Sequence, residues 1–393
     1  MGPAGPSAYT GPRPPKVDRP SPPGLLPPAG WVGEPLYQGK PASGTRLSKG
    51  VGCLMEYKKL GRTDLAVSRI GLGAQGFVEG GRQVPPEEAE LTVHRAVDAG
   101  INFFDAAIGD DEGRVEKVIG KALRAELTGD RERVVIATHG GARRRGSDLH
   151  VDGSREALRR HLEQTLRNLG IDYVDLYVLH CPDPNTPLEE TAAAFAELAA
   201  EGKLRYAGVR RLTIPLMEEF SRAAKIDVYQ GPFSMFERDL EAEIFPFCGE
   251  RGIGVCTHAS LAYGLLTGSI AEDEEFPDED WRSGHESFRG EALEANVKVA
   301  KRLQYIANNR GESLPELAIA WALDNEYVDA VVLGARNAYQ VIGTAGDVSP
   351  YTSSAIMHNP SAADFHLSAG DAEEIEKVLA DAVPIKVGSV STD

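Results

Sequence analysis

The sequence has few cysteines, few basic residues relative to acidic ones, and no long hydrophobic run. Its 393 residues include four cysteines, Cys53, Cys181, Cys248 and Cys256, which lack metal-type spacing. Four cysteines in a chain of this length are too sparse for a disulfide framework, which favours a reducing compartment. No apolar run approaches the ~18 residues of a membrane span, and the N-terminus lacks the apolar core of a secretory signal. We therefore expect a cytoplasmic protein with no membrane partner.

The shortage of positive charge bears on binding partners. The chain has 42 Lys and Arg against 59 Asp and Glu, a net charge of −17. An acidic protein attracts neither nucleic acid nor an anionic membrane surface through bulk electrostatics. We expect no nucleic-acid partner. A homo-oligomer is left open.

The first 54 residues differ in composition from the rest. They hold 12 of the 25 prolines, and six basic residues against two acidic ones. A Pro/Gly-rich segment cannot form helices or the hydrogen-bond ladders of a β-sheet, and it buries little surface. The sequence therefore predicts a disordered extension over 1–54 and one folded domain over 55–393. A strap that docks on the acidic body through Trp31 and Tyr37 is the alternative.

From Met55 onward, short apolar runs alternate with helical patterns. Eight runs are strand-like: Arg69–Gly73, Ile101–Asp105, Val134–His139, Val174–His180, Tyr206–Val209, Val228–Gln230, Gly254–Thr257 and Ala330–Gly334. Apolar strands without alternation are typical of a parallel sheet buried on both faces. Between them, Leu158, Leu162, Leu166 and Leu169 repeat at helical spacing, and Gly170 marks a stop. The pattern predicts an α/β fold, a (β/α)₈ barrel, preceded by a hairpin over 56–67.

Polar residues stand where the predicted strands end. These residues are Gln75, Asp105, His139, His180, Arg210, Arg211, Gln230, His258 and Arg336. In a (β/α)₈ barrel the active site lies at the carboxyl ends of the strands. The sequence therefore predicts a polar site that binds a small-molecule substrate at this end of the barrel.

Several motifs, taken together, resemble the aldo-keto reductase superfamily. They are Tyr57-Lys-Lys-Leu-Gly-Arg-Thr, Gly100-Ile-Asn-Phe-Phe-Asp, Ile119-Gly-Lys-Ala-Leu, Leu169-Gly-Ile-Asp-Tyr-Val-Asp-Leu-Tyr-Val-Leu-His, Gly264-Leu-Leu-Thr-Gly and Gly334-Ala-Arg. The resemblance covers about 55–379 and is strongest to the branch with the potassium-channel β subunits and bacterial broad-substrate reductases. It implies a (β/α)₈ barrel that reduces aldehydes and ketones with NADPH.

The resemblance also implies a catalytic tetrad of Asp, Tyr, Lys and His. The Asp falls on Asp105 and the His on His180, and both are present. Asp110 stands in the position of the Tyr that donates the proton, and His139 stands in the position of the Lys. The site implied by the family is therefore present in this chain with two of its four residues replaced.

The cofactor residues implied by the resemblance are only partly kept. Gln230, Leu261, Gly264, Gly334, Arg336 and Gln340 match positions that hold NADP(H). The Ser-Asn pair that clamps the nicotinamide has become Arg210-Arg211, and His258 replaces the aromatic residue that stacks on it. NADP(H) is the cofactor that the resemblance implies, and these replacements weigh against ordinary hydride transfer.

Three functions are compatible with these residues. An Asp with an ordinary pKa of ~4 is a poor proton donor, whereas a His titrates near neutrality. The first function is acid–base chemistry by Asp105, Asp110, His139 and His180, with Arg210, Arg211 and His258 binding the substrate or its oxyanion. Within it, Asp105, His139 and His180 would suit a divalent metal, but no ligand spacing supports one. The others are an NADP(H)-dependent oxidoreductase and a non-catalytic nucleotide sensor or partner subunit.

Three further segments carry structural expectations. Arg143-Arg144-Arg145 is expected in a solvent-exposed loop, and Glu272–Asp280 in a mobile acidic loop, either a lid or an insertion. The segment from about 346 to 364 departs most from the family pattern.

Overall fold

The chain folds around a closed barrel of eight parallel strands, as predicted. The structure, a computed structural model, describes residues 55–78, 84–110, 113–145, 148–278, 280–335, 337 and 367–387. Its strands are β1 (Tyr57–Lys59), β2 (Ala66–Ser68), β3 (Ile70–Gly73), β4 (Phe103–Asp110), β5 (Val135–Arg145), β6 (Asp148–Val151), β7 (Val174–Leu179), β8 (Leu204–Arg210), β9 (Val228–Pro232), β10 (Gly254–His258) and β11 (Ala330–Gly334). The barrel runs β3-β4-β5-β7-β8-β9-β10-β11 and closes where β11 pairs with β3.

Helices connect the strands, and their ends follow local sequence signals. They are α1 (Pro86–Asp98), α2 (Arg114–Ala122), α3 (Arg124–Thr128), α4 (Arg155–Leu169), α5 (Leu188–Ala200), α6 (Ile214–Phe220), α7 (Ile244–Arg251), α8 (Gly290–Asn309), α9 (Leu314–Asp324) and α10 (Ala369–Leu379). In α4, Ser154 caps the first turn by accepting a hydrogen bond from Ala157 N. Gly170 ends α4 in the left-handed conformation, at φ 70°, as its position after the leucine repeat predicts. No helix of the described segments is long and apolar enough to cross a membrane.

The lower part of the barrel interior is filled with apolar side chains. Side chains of a strand alternate between the inside of the barrel and the helical layer. The inner set comprises Phe103, Val135, Ala137, Leu176, Val178, Val228, Cys256, Ala330 and Val332, and Leu60, Leu65 and Val67 of the β1–β2 hairpin join it. The hairpin thus plugs the amino-terminal end of the barrel, which leaves the carboxyl end for a site.

The closure between β3 and β11 is held by buried charged groups. Arg69 Nη1 donates to the carbonyl oxygens of Val328 and Asp329, at 2.9 and 3.1 Å. Asp329 Oδ2 accepts from Gly61 N at 3.0 Å and from Val255 N at 3.1 Å. These contacts join the hairpin, β10 and β11 at the base of the barrel.

One local expectation was wrong. Arg143-Arg144-Arg145 does not form a loop, because β5 continues past the barrel rim and pairs antiparallel with β6. Arg143 is buried there, and its Nη2 donates to the carbonyl oxygen of His161 in α4 at 3.5 Å. The described residues 272–278 lie outside helices and strands and are mostly exposed, with Phe276 as a buried anchor, and the mobility expected of this segment stays a prediction. Phe276 and Arg282 are buried against each other, with the Arg282 guanidinium 4.3 Å from the ring centre.

Some expectations lie outside the described residues. They concern the extension over 1–54, which includes Trp31 and Tyr37, and the divergent segment that covers 346–364.

Candidate active site

The innermost layer at the carboxyl end of the barrel is polar. It consists of Asp105, His139, His180, Arg210, Gln230 and His258, one residue from each of six strands or their ends. Register explains the convergence: Asp105 is paired with Ala137, two residues before His139, and Arg210 is paired with Gln230. Because side chains two residues apart share a face, five of the six polar residues sit one layer above an inner apolar residue, and Arg210 sits one layer above Gly208.

Asp105 is the acceptor at the centre of this layer. Its Oδ2 accepts a hydrogen bond of 2.6 Å from Gln230 Nε2 and lies 3.4 Å from His139 Nε2. Asp105, His139, His180 and Gln230 are only 2–6% exposed. A carboxylate this deeply buried is stable only where donors surround it.

A pair of histidines links this carboxylate to the next strand. His139 Nδ1 lies 3.0 Å from His180 Nδ1, and Arg210 Nη1 approaches the same nitrogen at 3.5 Å. A guanidinium can only donate, so we assign His180 Nδ1 as an acceptor and place the proton of that ring on Nε2. His139 Nδ1 then donates to His180. His139 Nε2 is buried, makes no hydrogen bond among the described residues and lies 3.4 Å from Asp105 Oδ2.

Positive charge and burial together set the ionisation of the layer. Burial, followed by His139 and Arg210, lowers the pKa of His180, which keeps this ring neutral at physiological pH. Burial and the two neighbouring arginines lower the pKa of His258 in the same way. Burial, assisted by Arg211, lowers the pKa of Arg210 to about 10, so its guanidinium remains charged near neutrality.

The described residues at the nicotinamide end do not fit the clamp that the family resemblance implies. The amide of Gln230, expected to hold the cofactor, donates instead to Asp105. Arg210 and Arg211 occupy the positions of the Ser-Asn pair, and His258 occupies that of the stacking aromatic residue.

Three of the other predicted cofactor residues belong to the described part of the chain and lie at or after strand ends. Leu261 and Gly264 bound a tight turn after β10, in which Gly264 has φ 106° and its N–H donates to Leu261 O at 3.0 Å. Gly334 ends β11, opposite Gly73 of β3. Arg336, Gln340 and the side chain of Asp110 lie outside the described part of the structure. Among the described residues, no group of three or more His, Cys, Asp or Glu could hold a metal ion.

A buried acid that sequence reasoning missed lies beside this layer. Tyr263 Oη donates to Glu237 Oε2 at 2.9 Å, and Val387 N donates to Glu237 Oε1 at 3.3 Å. Burial raises the pKa of Glu237 to about 7. Glu237 stands five residues after the end of β9, so a search for polar residues extended further past each strand end would have found it.

Glu237 predicts a pH dependence of stability. Between its ordinary pKa near 4.5 and about 7, the folded protein binds one proton more than the unfolded chain. The contribution of Glu237 to stability is therefore greatest below pH ~4.5 and falls by about 1–3 kcal/mol as the pH rises to ~7. The free energy of unfolding of Glu237→Gln, relative to wild type, should rise across this window in urea titrations from pH 4.5 to 8. Glu243→Gln, an exposed neighbour, should show a constant difference; a constant difference for Glu237→Gln would contradict the assignment.

Comparison with known sequences gives matches over most of the chain. Residues 69–355 match the profile described as the aldo/keto reductase family. The aldo-keto reductase YhdN of Bacillus subtilis is 33% identical over 73% of this chain and 87% of its own. A probable voltage-gated potassium channel β subunit of rice is 34% identical over 73% of this chain and 89% of its own. The NADH-specific methylglyoxal reductase of Escherichia coli is 30% identical over 72% of this chain and 90% of its own.

Solved structures agree with the sequence matches. A glycerol dehydrogenase from Gluconobacter oxydans superposes with a TM-score of 0.71 at 26% identity, covering 86% of this chain and 99% of the other. The holo form of an aldo-keto reductase from Bacillus halodurans superposes with a TM-score of 0.65 at 26% identity, covering 84% and 98%.

Proposed function

Because the chain belongs to the aldo/keto reductase family, we propose that it is an enzyme of this fold that acts on a small carbonyl- or hydroxyl-bearing molecule by acid–base chemistry. The reaction classes are dehydration, isomerisation and cyclisation next to a carbonyl group. The observation that carries the proposal is the continuous chain of contacts from Asp105 through His139 to His180. Such a chain moves protons without needing hydride.

His180 is the donor to the substrate oxygen in this proposal. Its Nε2 proton passes to the oxygen, and its Nδ1 takes a proton from His139 Nδ1, 3.0 Å away. In this proposal His139 carries protons on both ring nitrogens at the start. It keeps the Nε2 proton toward Asp105 and ends neutral, so every proton of the relay is accounted for.

We assign the base to Asp110, which is the last residue of β4 and five residues after Asp105. This assignment comes from its place in the sequence motif, where the family carries its proton-donating Tyr. Removal of a proton from the carbon next to the carbonyl needs such a base on the opposite side of the substrate from the donor.

Exchange of substrate protons with deuterium tests the proposal. We expect the purified full-length chain, without added cofactor, to exchange the protons next to the carbonyl of at least one compound in a panel in D₂O. The panel contains hydroxyacetone, dihydroxyacetone, pyruvate and pyruvamide, and proton NMR follows the exchange. A chain that catalyses no exchange on any member, yet oxidises NADPH with a carbonyl substrate, would overturn it.

An NADP(H)-dependent carbonyl oxidoreductase is the second candidate. It is favoured by relatives whose names describe a reductase and a dehydrogenase. Titration with NADPH, followed by cofactor fluorescence, separates the two. We expect no micromolar binding, because Gln230 and the arginine pair do not fit the nicotinamide clamp. Micromolar binding together with carbonyl-dependent oxidation would instead establish the oxidoreductase.

A further inference from the structure

Arg210 is a partly buried cation for which the described residues supply no carboxylate in direct contact. It ends β8 in the polar layer, and its Nη1 lies 3.5 Å from His180 Nδ1. Its Nε is buried and has no hydrogen-bond partner among the described residues. Among the described residues no ion pair within 4.0 Å joins its guanidinium to a carboxylate; Asp105, whose charge acts on Arg210 from further away, contacts His139 instead. Withdrawing a charge from water without a partner costs folding free energy. Stability therefore does not explain why an arginine stands at this position.

The chain has many acidic residues, any of which could have been placed as the counter-ion of Arg210. It carries 59 Asp and Glu residues. The described acids nearest in the fold are already engaged: Asp105 with Gln230, and Glu237 with Tyr263. The counter-ion of Arg210 is therefore expected to come from a ligand.

Further polar atoms without partners lie at the carboxyl end of β10 and just after it. His258 Nε2 and Ser260 Oγ are buried and lack hydrogen-bond partners among the described residues. Arg210 and Arg211 both lower the pKa of His258, which places the three side chains within electrostatic reach of one another. Orphaned donors at a concave strand end are the arrangement that binds an anionic oxygen group.

The backbone at Arg211 supplies an independent sign of function. Arg211 has φ 58°, in the left-handed region that residues with a side chain seldom adopt. Strained backbone of this kind clusters at ligand-binding sites, where it fixes the direction of a side chain.

We infer that Arg210, supported by Arg211 and His258, binds a carboxylate of the substrate. Because Arg210 approaches the same histidine that faces the reacting oxygen, the carboxylate and that oxygen lie on neighbouring carbons. The substrate class is then the 2-oxo acids and their 2-hydroxy counterparts. This inference takes the role of His180 from the proposed function, whereas the anion subsite rests on the contacts of Arg210 itself.

Binding of pyruvate tests the subsite apart from any reaction. Isothermal titration of the full-length protein should show pyruvate binding about 10- to 100-fold more tightly than pyruvamide, its neutral analogue. Arg210→Gln should weaken pyruvate binding by a similar factor and leave pyruvamide unchanged, and Arg210→Lys should lose less. Arg222→Gln, an exposed arginine after α6, serves as the matched control and should bind like wild type.

Several results would overturn the inference. One is equal affinity for pyruvate and pyruvamide in wild type, a comparison that stands even if Arg210→Gln fails to fold. Another is tight binding of dihydroxyacetone phosphate or inorganic phosphate with none of pyruvate, which would assign the subsite to phosphate. A third is loss of NADPH binding alone in Arg210→Gln, which would assign the arginine to a cofactor.

The two proposals fail in different ways. Pyruvate binding that depends on Arg210 without deuterium exchange would support the subsite and count against the acid–base chemistry. Deuterium exchange at equal rates in pyruvate and pyruvamide would support the chemistry and count against the subsite.

Discussion

Replacing His180 by Gln is expected to lower the rate of deuterium exchange into a carbonyl substrate by about 10²- to 10⁴-fold, the usual contribution of one positioned acid–base group. Gln can accept from His139, but it cannot take that proton and release another at its far end. The relay from Asp105 through His139 would therefore stop before the substrate. Proton NMR of the exchange, with the substrate concentration varied, separates the loss of rate from a loss of binding.

The control for this prediction is His94→Gln. His94 lies exposed on α1, outside the barrel. The His94→Gln protein should therefore catalyse deuterium exchange at the wild-type rate. Circular dichroism and the melting temperature of both variants report whether the fold is kept. Exchange at the wild-type rate by a folded His180→Gln protein would remove His180 from the mechanism.

Replacing Asp175 by Ala is expected to lower the free energy of unfolding by about 3–5 kcal/mol, the range for removing one partner from a buried ionic cluster. The carboxylate is 1% exposed and accepts from Arg131 Nη2 at 2.7 Å, Arg205 Nη1 at 3.0 Å and Ile136 N at 2.9 Å. It therefore joins β7 to both neighbouring strands. Its removal leaves the Ile136 N–H without its acceptor and takes the buried carboxylate from both arginines, of which Arg131 keeps two backbone carbonyls and Arg205 keeps Asp64.

Urea denaturation at pH 7 measures this loss, and Asp172→Ala provides the comparison. Asp172 is exposed three residues earlier, and substitutions at such positions usually change stability by less than about 0.5 kcal/mol. A loss below about 1 kcal/mol for Asp175→Ala would contradict the role given to the cluster.

The fold was largely predictable because its signals are repeated. Eight apolar runs with intervening helical patterns suffice for the barrel, and Ala330–Gly334 even begins and ends as predicted. The extension of β5 was not predictable, because Gly140-Gly141 and three arginines have little intrinsic preference for a strand. Pairing with β6, a tertiary effect, decides their conformation.

The candidate site was predictable in position but not in its contacts. Strand ends brought Asp105, His139 and His180 to one layer, as the position of each residue in its strand implied. The partner of Gln230 depends on the direction of its side chain, which neither spacing nor motif specifies. Glu237 was missed for a related reason, since its burial comes from Tyr263 and the C-terminal segment rather than from its own neighbours in sequence.

The closure of the barrel has a consequence for synthesis on the ribosome. The hydrogen bond from Arg69, beside β3, to Val328, beside β11, can form only after 259 further residues have been synthesised. At the ~5–20 residues per second of translation, that interval is roughly 13–50 s. Throughout it, β3 has no partner on one side, and an unpaired strand is a site of aggregation. The nascent chain is therefore expected to be most dependent on chaperones just before β11 emerges.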